Sequence, residues 1–188
     1  MTVPVTVDVN VLVGAVTGGN DAFRSWPSPP PVRGNLAANV AGILNDAREF
    51  SLFTSEHILV NVVRVLTGTP PTGYGWSSDQ AEEYVELLVE IVQASGGAVV
   101  EPDEVVVDCI DHEDNRILEC AAASGSVLIV SDDADLEAMS TWRGIPVVTA
   151  EQFVKRTDVM RRARPRQAGR DLTSFGLARK TAATPDQQ

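Results

Sequence analysis

The sequence predicts an α/β protein built on a parallel sheet, with helices on both faces and a carboxylate-rich edge. Three observations predict it. Short β-branched runs alternate with helical periodicity along the chain, which implies βαβ units. The strand "SVLIVS" holds four consecutive aliphatic residues, as a strand buried on both faces would. Two strands end in aspartate, at Asp8 and at Asp132 and Asp133.

Taken in order, "VPVTVDV" is the first buried strand. Residues 17–35, rich in Gly, Pro, Ser and Asn, read as a long loop. "LAANVAGILNDAREF" repeats apolar residues at helical spacing, and "SLFTS" is a short strand. "EHILVNVVRVLTG" is a helix that Gly68 and the prolines at 70 and 71 end. A second loop, 69–78, leads to a capping box of Asp79 with Glu82 and the helix "QAEEYVELLVEIVQAS". "GAVVEP" is a strand, "DHEDNRILECAAASG" a helix and "SVLIVS" a strand. "GIPVVTAEQFVKR" is a strand followed by a helix. From residue 158 the pattern gives way to "RRARPRQAGR" and "TAATPDQQ", read as a basic, disordered tail on a domain spanning 1–157.

The 188 residues suffice for one domain with a real core, and 44% of them are apolar. No apolar run reaches the 18 or so residues of a membrane span. The N-terminus lacks the basic residues that precede a signal peptide's apolar core. Cys109 and Cys120 make no disulfide framework, so the expectation is a cytoplasmic protein with reduced thiols and no membrane contact. The net charge of −11 divides unevenly. Residues 1–154 hold 6 Lys+Arg against 23 Asp+Glu, and residues 155–188 hold 9 against 3. Such a body does not attract nucleic acid by charge alone; the tail, with Arg161, Arg162 and Arg164, could supply that attraction as an RNA-binding arm, serve only solubility, or fold back on the acidic cleft.

In an open α/β sheet, ligands bind at the carboxyl ends of the strands. Asp8 and the aspartates after "SVLIVS" share that edge. Asp111 and Asp114, three apart at a helix start, point to one side. Each also has a purely local use, Asp111 as a helix cap and Asp114 as a partner of the helix dipole. Asp8 is harder to explain locally, because a carboxylate within an apolar run is costly to bury unless paired or metal-bound. Clustered carboxylates without Lys or Arg partners suit a hard divalent cation such as Mg²⁺ or Mn²⁺, which activates water for attack on a phosphodiester.

"VDVNVLV" and "DNRILECAAASGSVLIVSDDADL" together resemble the PIN domain, the fold of metal-dependent ribonucleases that include the VapC-type toxins of toxin–antitoxin pairs. The resemblance spans residues 5 to about 155, with the loops 17–35 and 69–78 as insertions. It implies a three-layer α/β/α fold with about five parallel strands and single-stranded RNA as substrate. It also implies Mg²⁺ or Mn²⁺ as cofactor and a small antitoxin protein as partner; homodimers are common among its members. Asp8, Asp114 and Asp133 match its acids, with Asp135 as an auxiliary ligand. The second acid is replaced by Asn61, with Glu56 at the same helix's start as an alternative donor. Asn10 matches a polar position of the family and also suits capping the first helix.

Two other readings stand beside this one. A PIN-like module weakened by Asn61 would bind RNA or protein without turnover. "DVNVL" also resembles the opening of haloacid-dehalogenase-like phosphatases, although these need a second Asp where Asn10 stands. Zinc at Cys109, His112 and Cys120 lacks a fourth ligand. Trp26, Tyr74 and Trp76 lie in loops, where they either stack on bases or pack onto the body.

Overall fold

The computed structural model describes residues 2–18 and 34–163. Most of the 17–35 loop, including Trp26, and most of the basic tail, including Arg164, lie outside the described residues. The elements are β1 (Val3–Val7), α1 (Val9–Thr17), α2 (Leu36–Asn45), β2 (Phe50–Ser55), α3 (Glu56–Thr67), α4 (Ser78–Ser95) and β3 (Val99–Val100). They continue with α5 (His112–Ser124), β4 (Leu128–Val130), α6 (Ala134–Met139), β5 (Thr141–Trp142), β6 (Ile145–Val148) and α7 (Ala150–Ala163).

The sheet has the order β3-β2-β1-β4-β6-β5. Five strands are parallel, as expected, and the sixth, β5, pairs antiparallel with β6. The β5–β6 hairpin turns at Arg143 and Gly144, with φ of 48° and 84°. Two successive left-handed residues match the turn whose twist suits a tight hairpin, and glycine adopts one of them without strain. The chain runs outward from β1 through β2 to β3, then crosses back to β4 on the other side of β1. The topological switch therefore lies between the carboxyl ends of β1 and β4, which pair through Val7 and Val130.

The core is aliphatic, with Val5, Val7, Leu52, Ile129 and Val130 on the strands packed against Leu12, Ile43, Leu88, Ile117 and Phe153 on the helices. Gly97 shows how tightly the layers meet. A Cβ there would lie 1.7 Å from the carbonyl oxygen of Leu52, so no other residue fits beside β2 without moving backbone.

Several boundaries differ from the sequence reading. The box that starts α4 is Ser77 with Gln80, not Asp79 with Glu82; each of the pair bonds the other's backbone N–H. The "GAVVEP" strand shrinks to two residues. Helix α7 runs to Ala163, beyond the boundary expected at 157. Arg161 holds its end down, pairing with Asp46 at 3.1 Å and Glu49 at 2.8 Å.

Candidate metal centre

Asp8 follows β1 and opens α1. Its backbone carbonyl accepts from Val11 and Leu12, while its carboxylate faces the N–H groups of Val9 and Asn10 without closing a capping hydrogen bond. That carboxylate accepts instead from Ser131 Oγ at 2.5 Å, across the switch point from the end of β4. Ser131 Oγ also accepts the N–H of Asp133 at 3.0 Å. One buried hydroxyl thus ties the acid after β1 to the acid after β4.

The three neighbouring aspartates after β4 divide their work. Asp132 Oδ1 accepts the N–H of Ala150, fixing the start of α7, while its own N–H donates to Asn10 Oδ1 at 3.3 Å. Asn10 lies within α1 rather than capping it; Asp8 holds the cap position. Asp133 caps α6 by accepting the N–H of Asp135 at 2.8 Å. Asp114 arrives from the first turn of α5, one helix turn after the cap residue Asp111, which accepts the N–H of Glu113.

Asp8, Asp111, Asp114 and Asp133 line one cleft of about 320 Å³ with Asn10, Asn61, Arg64 and Tyr74. Carboxylate oxygens of Asp114, Asp133 and Asp135 all lie within 4.8 Å of one another. Burial pushes Asp8 up to about 6, against the lowering effect of the Ser131 bond and neighbouring backbone N–H groups; the charge of Asp133 adds to the rise. Asp114 is pushed further, to about 7, first by burial and then by the charges of Asp133, Asp8, Asp111 and Asp135. Oδ2 of Asp114 is fully buried and has no hydrogen-bond partner. A buried carboxylate oxygen without a partner is costly, and the four carboxylates around it raise the cost. A divalent cation relieves both.

The donor set fits a hard cation, since every converging atom is a carboxylate oxygen. Cys109, the nearest soft candidate, is held protonated by burial and by the charges of Asp114, Asp108, Asp135 and Asp133. Cys120 is buried in the core with its thiol pushed up to about 12. Among the described residues, the two cysteines and His112 form no metal-binding cluster.

The structure gathers Asp8, Asn10, Asn61, Asp111, Asp114 and Asp133 at the cleft, with Asp135 beside them. Glu56 is not among the residues lining it. It lines a neighbouring cavity of about 440 Å³ with His57, Glu101 and Arg116, because its place at the start of α3 turns it away from Asn61. Arg161 is not a free RNA contact either: only 18% of its side chain is exposed, and its guanidinium is held by Asp46 and Glu49. Arg162 is exposed and pairs with Asp158 one turn back. Trp76 packs against the core, whereas Tyr74 is half exposed at the cleft's rim.

Three residues of the site escaped the sequence reading: Ser131, Arg64 and Glu113. Ser131 carried a signal, being the polar residue that ends an otherwise apolar strand. Glu113 and Arg64 carried none, since an exposed Glu or Arg on a helix is ordinary.

The family model for the PIN domain matches residues 4–135, from within β1 through Asp135. No curated protein sequence matches the chain. That match spans most of the chain and takes in all four clustered aspartates, Asp8, Asp114, Asp133 and Asp135. The chain therefore belongs to the PIN-domain family.

Proposed function

We propose that this PIN domain is an endoribonuclease dependent on Mg²⁺ or Mn²⁺, and that it is the toxin of a toxin–antitoxin pair, restrained in the cytoplasm by a small antitoxin protein. PIN domains as a class are nucleases that use divalent metals. The observation that carries the reading is the convergence of Asp8, Asp114 and Asp133, from three separate elements, on one cleft at the switch point. The orphaned oxygen of Asp114 lies among them.

Asp114, Asp133 and Asp135 would hold the ion, with Asp8 completing the negative wall. The ion supplies Lewis-acid polarisation of a phosphodiester and a water of lowered pKa. The chain's own side chains do the rest. Ser131 holds Asp8 in place and favours its ionised form. Arg64 is the one cationic side chain among the described residues that line the cleft, placed to offset the charge of an incoming phosphate. Tyr74 offers an aromatic face at the rim for an unstacked base.

The test is cleavage of labelled single-stranded and structured RNA with Mn²⁺, Mg²⁺ or EDTA, together with growth after expression in a bacterium. The reading expects metal-dependent internal cuts and growth arrest, both removed by Asp114→Asn. RNA binding without cleavage under every metal condition would favour the non-catalytic module instead. One observation speaks for that module: both ends of the Asn61 amide are already engaged within the protein.

A further inference from the structure

The cleft and the neighbouring cavity share one lining residue, Glu113. It precedes Asp114 on α5 and is 45% exposed. Its Oε2 accepts from Asn61 Nδ2 at 2.6 Å and from His57 Nε2 at 2.9 Å, so two side chains of α3 grip one carboxylate oxygen of α5. Oε1 has no hydrogen-bond partner among the described residues.

The orientation of Asn61 is fixed from its other end. Arg64 Nε donates to Asn61 Oδ1 at 2.8 Å. A guanidinium nitrogen can only donate, so the amide oxygen must face Arg64 and the amide nitrogen must face Glu113. Buried at 7% exposure, the amide has little room to flip. Asn61 therefore presents a donor to Glu113. The charged acceptor at this corner of the cleft is the Glu113 carboxylate.

We infer that Asn61 and Glu113 act as one unit, in which Glu113 supplies the negative charge that the α3 side of the metal centre lacks and Asn61 positions it. The inference deepens the reading of the cleft as a divalent-metal site and rests on it. It extends the carboxylate set of Asp8, Asp114, Asp133 and Asp135 by an acid from a position that nothing in the sequence marks.

Glu113→Gln tests it, because glutamine keeps an oxygen to accept from Asn61 while removing the charge. Titration calorimetry with Mn²⁺ on the full chain is the readout, and the melting temperature of the metal-free protein serves as the folding control. Glu113→Gln should weaken Mn²⁺ binding by about tenfold or more, the usual scale for residues that orient a metal site, without lowering the metal-free melting temperature. Asn61→Asp combined with Glu113→Gln moves the charge across the same hydrogen bond and should recover binding to within about threefold of wild type. His57→Ala, which leaves the charge but loosens its grip, should cost less than Glu113→Gln. Unchanged Mn²⁺ affinity in Glu113→Gln, or a double variant as weak as the single, would overturn the inference while leaving the metal centre standing. A wild-type protein that binds no Mn²⁺ would overturn both.

Discussion

Ser131 and Asp8 lie 123 residues apart in sequence, and their side chains share a 2.5 Å hydrogen bond. The bond joins the ends of two adjacent parallel strands and holds an acid whose ionisation burial opposes. Ser131→Ala removes the donor that favours the charged form, so the Asp8 pKa should rise above about 6. Mn²⁺ affinity at pH 6.5 should fall by about tenfold, with a smaller deficit at pH 8, where Asp8 is ionised in either protein. Equal deficits at both pH values would mean that the serine acts on geometry alone.

The raised carboxyls set the pH dependence of the metal-free fold. Asp8 and Asp114 have folded values of about 6 and about 7, against 3.8 for an unperturbed aspartate. Between these limits the folded state binds more protons than the unfolded state, so stability falls as pH rises. In EDTA the melting temperature should be highest near pH 4 to 5, decline through pH 7 and then level off. Saturating Mn²⁺ should reverse the trend, because ion binding displaces those protons. A metal-free melting temperature that climbs from pH 5 to 7.5 would contradict this.

Asp114→Asn should separate stability from activity. At pH 8 it removes a buried charge that four neighbouring aspartates oppose, so the metal-free protein should melt at a higher temperature than wild type. RNA cleavage should drop by at least about a hundredfold, since the same carboxylate is needed to hold the ion. Circular dichroism melts and a gel-based cleavage assay give the two readings.

Two arginines one residue apart should behave differently. Arg161 reaches Glu49, whose side chain is only 5% exposed, and Asp46. Arg161→Ala should cost about 2 kcal/mol in urea denaturation, the scale of hydrogen bonds to charged groups. Arg162 is 78% exposed, and its pair with Asp158 is worth little; Arg162→Ala should shift stability by less than about 0.5 kcal/mol.

Tyr74→Ala tests the rim. The ring is half exposed and the fold does not depend on burying it, so melting should be unchanged. Affinity for single-stranded RNA should weaken by about 1–2 kcal/mol if a base stacks there. Fluorescence anisotropy with the inactive Asp114→Asn background isolates binding from cleavage.

What was legible in the sequence followed from strong periodic or steric signals. The apolar run 127–130 and the aspartates behind it located the switch point; Asp8 and Asp133 met there because parallel strands bring their carboxyl ends to one edge, and Asp114 joined them from the first turn of α5. The hairpin strand Thr141–Trp142 was missed, since two residues carry no periodicity and only the Arg143–Gly144 turn marks it. Asp79 with Glu82 matched a capping box as well as Ser77 with Gln80 does, and only the geometry of the loop chose between them. Glu56 is close to Asn61 in sequence but belongs to another cavity, whereas Glu113 is 52 residues away and touches it. Side-chain partners across helices depend on packing angles that no local pattern encodes.

Among the described residues both outermost strands, Val99–Val100 and Thr141–Trp142, are only two residues long, so each offers only a short ladder of its own to an incoming strand. On the β5 side, the indole nitrogen of Trp142 is further fastened to Asp108 at 2.7 Å. Lateral addition of a strand, the route by which many proteins recruit a peptide or stack into fibres, has little template here. A polypeptide partner added along either of these two strands would gain few backbone hydrogen bonds, so helix faces and side chains are the surfaces expected to carry its binding.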